Sequence, residues 1–200
     1  LLEIKQKIHF FLGEFETGTV PEKLLDDAFD FAENTLSIKV PASIQNDTAT
    51  LIEYLYQKLD RPLRVCGMVK NMGDVGGGPF WIKEKEGTIS LQIVEKSQVN
   101  TSSPEQLKIL NSATYFNPVD IVCAMNDHNG EPYDLMHFRQ PDTGFITMKS
   151  KDGKPLKTYE LPCLWNGSMA NWNTIFVEVP ISTFSPVKSI NDLMKKEHLS

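Results

Sequence analysis

The chain has 200 residues, 40% of them hydrophobic and 23% charged, a composition typical of one ordinary globular domain. The net charge is -6 and only three residues are arginine, so the chain lacks the basic stripe that neutralises nucleic-acid phosphates. Three cysteines without a CxxC pair favour a reducing cytoplasm, and no apolar run approaches the roughly 20 residues that span a bilayer. The composition thus predicts a cytoplasmic protein with neither a nucleic-acid partner nor a membrane anchor.

Residues 1–60 show the spacing of amphipathic helices. Apolar side chains at steps of three and four predict a first helix that ends near residue 15. Pro21 suits the first position of a second helix, which extends to about residue 36, and Asp47 suits the N-cap of a third. Because Leu1 is not methionine and already belongs to the first pattern, we expect that residues upstream of it have been removed. We predict a helical subdomain over residues 1–60.

The pattern changes in the second part of the chain, residues 61–200. A short apolar run at residues 63–69, bounded by turn residues, predicts an internal strand. Three turn signals lie between further apolar runs and predict hairpins: Glu86-Gly87, Asn129-Gly130 and Asp152-Gly153. The second hairpin is expected to continue into a strand at residues 133–135. The predicted fold class is therefore α/β, a helical subdomain followed by a mixed, largely antiparallel sheet.

Helix signals interrupt these strands. Ser103-Pro104-Glu105-Gln106 has the arrangement of a capping box with proline at the first helical position, which predicts a helix over about 104–113. Shorter helices are expected after Gly167 and at residues 191–194.

Two segments could bind an anion through their own chemistry. The glycine-rich loop at residues 72–79 can bring backbone N–H groups close to an anion, but it lacks the ending of a P-loop and equally fits a flexible hairpin connection. Lys188 follows two prolines and precedes a helix, where an ammonium can reach a phosphate, and a solvated surface lysine is the alternative. Catalysis by a cysteine–histidine pair is disfavoured because Cys66 and Cys123 lie in apolar runs.

Three sequence blocks, taken in order, resemble UDP-glucose pyrophosphorylases. The stretch from Val177 through Pro180 to Lys188 resembles their signature Glu-Val-Pro-Arg-Ser-Arg-Phe-Leu-Pro-Val-Lys. The glycines at 76–78, leading to Leu-Gln-Ile-Val-Glu-Lys-Ser-Gln-Val at 91–99, are similar to Gly-Gly-Thr-Leu leading to Leu-Leu-Glu-Ile-Ala-Gln-Val. Phe116-Asn117 and the helix before it resemble a helix followed by Phe-Asn-Thr-Asn-Asn.

Further stretches identify the chain as a member of a family of Bacteroidetes proteins known as a domain of unknown function (DUF 4301). They are residues 64–71, 116–120 and 164–180.

The resemblance to the pyrophosphorylases implies the second half of a glycosyltransferase-A-like nucleotidyltransferase fold. It implies transfer of a nucleotidyl group to a sugar 1-phosphate, with magnesium. Lys188 would offset phosphate charge, Glu95 would accept hydrogen bonds from sugar hydroxyls, and Asn117 would both donate to and accept from the sugar. Gly77 and Gly78 would line the same substrate site.

The partners that the resemblance implies are a sugar 1-phosphate or nucleotide sugar and the missing N-terminal half of the protein. The nucleotide loop and the magnesium ligand belong to the family's first half, which no segment here resembles, so no metal ligand is expected in this chain. The fragment alone is therefore expected to be inactive. We also expect it to self-associate through a cut sheet edge or its first helix, unless the helical subdomain covers that edge.

The sequence departs from the pyrophosphorylase signature at several positions. Ile181 and Thr183 stand where the signature has two arginines, Val75 replaces a lysine, and Val119-Asp120 replace Asn-Asn. These departures leave open a second function, that of a catalytically inactive module that binds a sugar or a nucleotide sugar.

Overall fold

The computed structural model of the chain describes residues 1–71, 76–83, 87–162, 167–185, 187 and 189–198. Its helices are α1 Leu2–Glu16, α2 Glu22–Asp30, α3 Thr48–Leu59 and α4 Pro104–Asn111. Its strands are β1 Leu63–Lys70, β2 Gly78–Lys83, β3 Ile89–Val94, β4 Tyr115–Phe116, β5 Ile121–Ala124, β6 Phe145–Lys151, β7 Lys154–Glu160 and β8 Asn173–Glu178. The prediction of a mixed α/β fold with a largely antiparallel sheet is confirmed.

The three N-terminal helices share one apolar core. Their predicted apolar faces are buried, with Leu12, Leu55 and Leu59 fully removed from solvent. Burial of one such side chain stabilises the fold by about 1.5–3 kcal/mol, so this cluster stabilises the helical part strongly. Helix α3 begins where the sequence predicted, because an oxygen of Asp47 accepts the backbone N–H of Thr50 at 3.2 Å.

Strand β1 is the centre of the main sheet. It pairs in parallel with β8 over Leu63–Met68 and antiparallel with β5 over Leu63–Cys66, so the two partners lie on opposite sides. Its end pairs antiparallel with β4. One face of the sheet contributes Leu63 to the helical core, and Cys66, Met68 and Ile93 form a second, smaller cluster.

Two hairpins stand beside this sheet. Strands β2 and β3 pair from Gly78 opposite Val94 to Lys83 opposite Ile89, and β6 and β7 pair along their whole length. At the turn of the β6–β7 hairpin, Asp152 and Gly153 have φ angles of 53° and 74°, the backbone that a type I′ turn requires. Both hairpins were predicted from their turn signals.

Several local predictions need correction. The second predicted helix is α-helical to Asp30 and continues as a π-helical turn, Phe31–Thr35. The turn at Gly130 forms, but the strand expected at residues 133–135 is replaced by a 3-10 helix, Leu135–Phe138, since β5 pairs with β1 instead. The segment after Gly167 is a turn, and the last predicted helix is the 3-10 helix Ile190–Met194.

The apolar face of α1 was expected to be exposed, but it is buried. Ile8 and Phe11 are buried in the helical core, and Leu1 and Ile4 pack against it. Within the residues that the structure describes, no helix is both long and apolar enough to cross a bilayer.

Candidate functional site

Four of the residues predicted for the substrate site lie at one corner of the molecule, near the carboxyl end of β1. Gly77 forms an isolated bridge with Asn117, whose backbone N–H donates to the Gly77 carbonyl at 2.8 Å. Gly78 begins β2 and lies opposite Val94, the residue before Glu95. The structure thus brings Gly77, Gly78, Glu95 and Asn117 together.

The side chain of Asn117 is only 1% exposed and contacts backbone. Its Nδ2 donates to the Gly67 carbonyl at 2.8 Å and lies 3.4 Å from the Asp120 carbonyl. Its Oδ1 accepts the Val119 N–H at 3.1 Å. Because Asn117 is buried, contact between this amide and a sugar would need the surrounding groups to move.

A bulge at this corner explains why an amide is needed there. Cys66 pairs with Ile121 and Val69 pairs with Phe116, so the two residues between them on β1 face residues 117–120. The carbonyl of Gly67 therefore lacks a regular ladder partner, and Asn117 supplies one.

Glu95 is half-buried and shapes the turn after β3. Its carboxylate accepts the hydroxyl of Ser97 at 3.1 Å and the backbone N–H of Gln98, whose side chain in turn accepts the N–H of Glu95 at 2.9 Å. This is a capping box on the 3-10 helix Lys96–Gln98. An ionised carboxylate has about four lone-pair positions, so further donors can still bind to Glu95.

The glycines of this corner lie against aromatic side chains. A Cβ at Gly76 would come within 2.8 Å of Phe116, and one at Gly78 within 2.7 Å of Phe80. Both distances are below those that real carbon contacts show, so close packing alone explains why glycine occupies positions 76 and 78.

Lys188 and residues 72–75 of the glycine-rich loop lie outside the described residues. The segment that leads towards Lys188 reaches the same corner. The N–H of Val179 donates to the Met68 carbonyl at 2.9 Å, and the rings of Phe184 and Phe116 meet edge to face at 5.1 Å.

The described residues offer no cluster of three or more His, Cys, Asp or Glu side chains that could hold a metal ion. No step at this site is therefore assigned to a metal ion. Cysteine chemistry is also unsupported, because burial raises the pKa of Cys66 to about 11 and keeps the thiol protonated at neutral pH. His128 is bound instead to Glu16, at 2.9 Å.

Sequence reasoning did not identify the three arginines as candidate functional residues. Arg64 is 1% exposed inside β1, and Arg61 and Arg139 line a cavity at the other end of the sheet. The only available signal was that an acidic chain places an arginine within an apolar strand. The spacing gives no indication that Arg61 and Arg139 line the same cavity, because that arrangement arises from the tertiary fold.

The sequence matches a family model described as Domain of unknown function (DUF4301) over residues 1–199. No curated protein matches it. Among solved structures, the UDP-glucose pyrophosphorylase from Leishmania major is similar, with 18% identity, a TM-score of 0.39, and coverage of 72% of this chain and 32% of that chain. A mutant of that enzyme in complex with UDP-glucose shows 17% identity, a TM-score of 0.38, and coverage of 80% and 34%. The chain thus spans about a third of the length of these pyrophosphorylases.

Proposed function

The chain belongs to the family described as Domain of unknown function (DUF4301), and from that premise we propose that it forms the sugar and phosphate side of a sugar-1-phosphate nucleotidyltransferase. The observation that carries the proposal is the convergence of Gly77, Gly78, Glu95 and Asn117 at one corner. These residues come from separate blocks of the pyrophosphorylase-like pattern. Their meeting point is the carboxyl end of β1, the end at which open α/β sheets bind ligands.

Each residue has a distinct role in this proposal. Glu95 accepts hydrogen bonds from sugar hydroxyls with the lone pairs that Ser97 and Gln98 leave available. Asn117 is a positioning residue, because its amide holds the bulge that places Gly77 beside the sheet. Lys188 offsets the charge on the phosphate, as the signature around it implies.

A binding experiment tests the sugar side. We expect the chain to bind glucose 1-phosphate in calorimetric titration, and Glu95→Gln to weaken binding about tenfold, a loss of about 1.4 kcal/mol. Glu105→Gln is the matched control, because Glu105 is an exposed carboxylate in the first turn of α4. Equal affinities for the wild type and Glu95→Gln would remove Glu95 from the proposal.

A turnover experiment separates the enzyme from the inactive binding module. We expect the full-length protein to convert a nucleoside triphosphate and a sugar 1-phosphate into pyrophosphate, and the 200-residue chain alone to release none. In the full-length protein, Lys188→Ala should lower kcat by about 100-fold with a smaller effect on sugar binding. Absence of turnover with every nucleotide and sugar tested would favour the binding module.

A further inference from the structure

A cavity of about 410 Å³ lies at the amino-terminal ends of β1 and β8. Binding sites for small molecules commonly measure roughly 300–1,000 Å³. Its walls come from the loop after α2, from α3, from β3 and from the segments around Arg139 and Trp172. Gly77, Gly78, Glu95 and Asn117 do not line it, so it is separate from the site proposed above.

The described residues that line this cavity include four cationic side chains and no carboxylate. The cationic residues are Lys39, Lys58, Arg61 and Arg139. Two of the three arginines of the chain therefore lie here, although the net charge of the chain is -6. A concave surface lined by charges of one sign concentrates ligands of the opposite sign.

Arg61 is fixed in place on the cavity wall. Its Nε donates to the Gln57 carbonyl at 3.0 Å, and one of its terminal nitrogens lies 3.5 Å from the Asn171 carbonyl. Burial lowers the pKa of Arg61, yet a guanidinium remains charged in proteins. Within the described ranges, neither Arg61 nor Arg139 forms an ion pair with a carboxylate.

A third guanidinium lies directly behind the cavity lining. Arg64 donates through Nε to the Thr174 hydroxyl at 2.8 Å and through a terminal nitrogen to Oε1 of Gln92 at 3.3 Å. Gln92 donates in turn to the hydroxyl of Ser90 at 3.1 Å, and both Thr174 and Ser90 line the cavity. As far as the structure describes the chain, no carboxylate pairs with Arg64. A buried cation without an anion is costly, so an anion in the cavity would offset that cost.

Trp172 gives an independent indication of a ligand at this cavity. Its side chain lines the cavity and is only 7% exposed. Its indole N–H has no acceptor among the described residues. A buried indole N–H usually has a hydrogen-bond partner, so an acceptor from outside this part of the chain is expected here.

We propose that this cavity binds a small phosphorylated molecule, with its phosphate groups held by Arg61 and Arg139 in front of the buried Arg64. Planar guanidinium groups match the geometry of phosphate oxygens and donate to two of them at once. Ser90 adds a neutral hydroxyl group to the cavity lining, whereas the Thr174 hydroxyl donates to the Trp172 carbonyl at 3.2 Å and holds Arg64 in place. The site is thus suited to a dianion or a more highly charged anion.

Inorganic diphosphate is the probe that tests this site, titrated calorimetrically into the whole chain at low ionic strength. We expect binding by the wild type and an affinity about tenfold or more lower for Arg139→Gln and for Arg61→Gln. Lys108→Gln, which removes one exposed positive charge from α4, should retain the wild-type affinity. Binding should weaken as salt is added, because the attraction is electrostatic.

Arg139→Gln is the decisive variant, since Arg139 is exposed and its loss should not impair folding, whereas Arg61 links α3 to the segment before β8. If the wild type does not bind diphosphate, the proposal is wrong. It is equally wrong if Arg139→Gln binds diphosphate as tightly as the wild type, because the anion then occupies another site.

Discussion

Asn117 shows how one buried amide can replace regular strand pairing. It donates to the Gly67 carbonyl and accepts the Val119 N–H, so the bulge between β4 and β5 leaves these two backbone groups satisfied. A buried backbone group without a partner costs about 1–3 kcal/mol, which makes this side chain important for the fold. The sequence identified Asn117 as special through its resemblance to a sugar-binding motif, but no sequence pattern predicts the bulge, because the bulge depends on the register between distant strands.

Val119 carries the backbone strain of the same bulge. Its φ angle is 75°, in the left-handed region that disfavours β-branched side chains by roughly 1–2 kcal/mol. Asparagine tolerates this region and stands there in the pyrophosphorylase pattern. Because Val119 is exposed, the substitution buries no new polar group. We therefore expect Val119→Asn to raise the free energy of unfolding by about 1 kcal/mol in urea denaturation.

Val122→Asn is the matched control for Val119→Asn. Val122 is similarly exposed, but it lies in the extended strand β5, where valine is preferred over asparagine. The same chemical change should therefore lower the free energy of unfolding at Val122. A loss of stability at both positions would contradict the strain attributed to Val119.

Cys66 gives a prediction about pH. The folded chain favours its neutral thiol, since burial raises the pKa from 9.0 to about 11. The stability that this thiol contributes is thus complete below about pH 9 and is lost as the pH rises through 11. In a Cys163→Ser background at pH 8, we expect a thiol reagent to modify Cys66 about 100-fold more slowly in the folded chain than in urea.

Two comparisons support the interpretation of the Cys66 labelling rates. The half-buried Cys123 should react faster than Cys66 in the folded chain, and the Cys66→Ala variant identifies its signal. The rate at Cys66 should rise about tenfold per pH unit towards pH 11 as the thiolate forms. Rapid labelling of Cys66 at pH 7 would show that the site is open.

At the scale of elements, the sequence predicted the helices and hairpins that signals within a few residues determine. Helix α3 and the β6–β7 hairpin were predicted because a cap at Asp47 and a turn at Gly153 act within a few residues. The parallel pairing of β8 with β1 joins residues 110 positions apart, such as Arg64 and Thr174, and no local pattern carries that information. The same holds for the cationic cavity, whose walls come from distant segments.

Two glycines in different elements should respond in opposite ways to the same substitution. A Cβ at Gly67 in β1 would lie 3.1 Å from Cβ of Asp120 and 3.3 Å from Cγ2 of Val179, so Gly67→Ala should cost about 1–3 kcal/mol. A Cβ at Gly13 in α1 meets nothing within 4 Å, and Gly13→Ala should stabilise the helix by about 1 kcal/mol. Urea unfolding midpoints measure both changes. A Gly67→Ala variant as stable as the wild type would mean that β8 and the bulge can move apart.

At the scale of the whole molecule, the helical part covers one region of the sheet and leaves others uncovered. Its core reaches the sheet through Leu63, Ala124 and Ile175, near the amino-terminal end of β1. Strand β8 pairs with β1 alone among the described strands, and β6 and β7 pair only with each other. The face of α1, through which association was expected, is buried in the helical core. The β6–β7 hairpin is a different candidate surface for association.

One face of the β6–β7 hairpin exposes three apolar side chains beside Lys157, which lies opposite Met148, and this leads to the last prediction. Ile146 and Met148 lie on the same face, with Tyr159 directly opposite Ile146, and these three side chains are 59%, 65% and 60% exposed. A two-stranded hairpin is only marginally stable in water, and an exposed apolar face promotes association. We expect sedimentation of the chain to show concentration-dependent self-association that Ile146→Lys together with Met148→Glu abolishes. Ile190→Lys is the control, because Ile190 is 81% exposed outside the hairpin and its substitution should leave association unchanged. A wild-type chain that stays monomeric at every concentration would show that this face does not drive association.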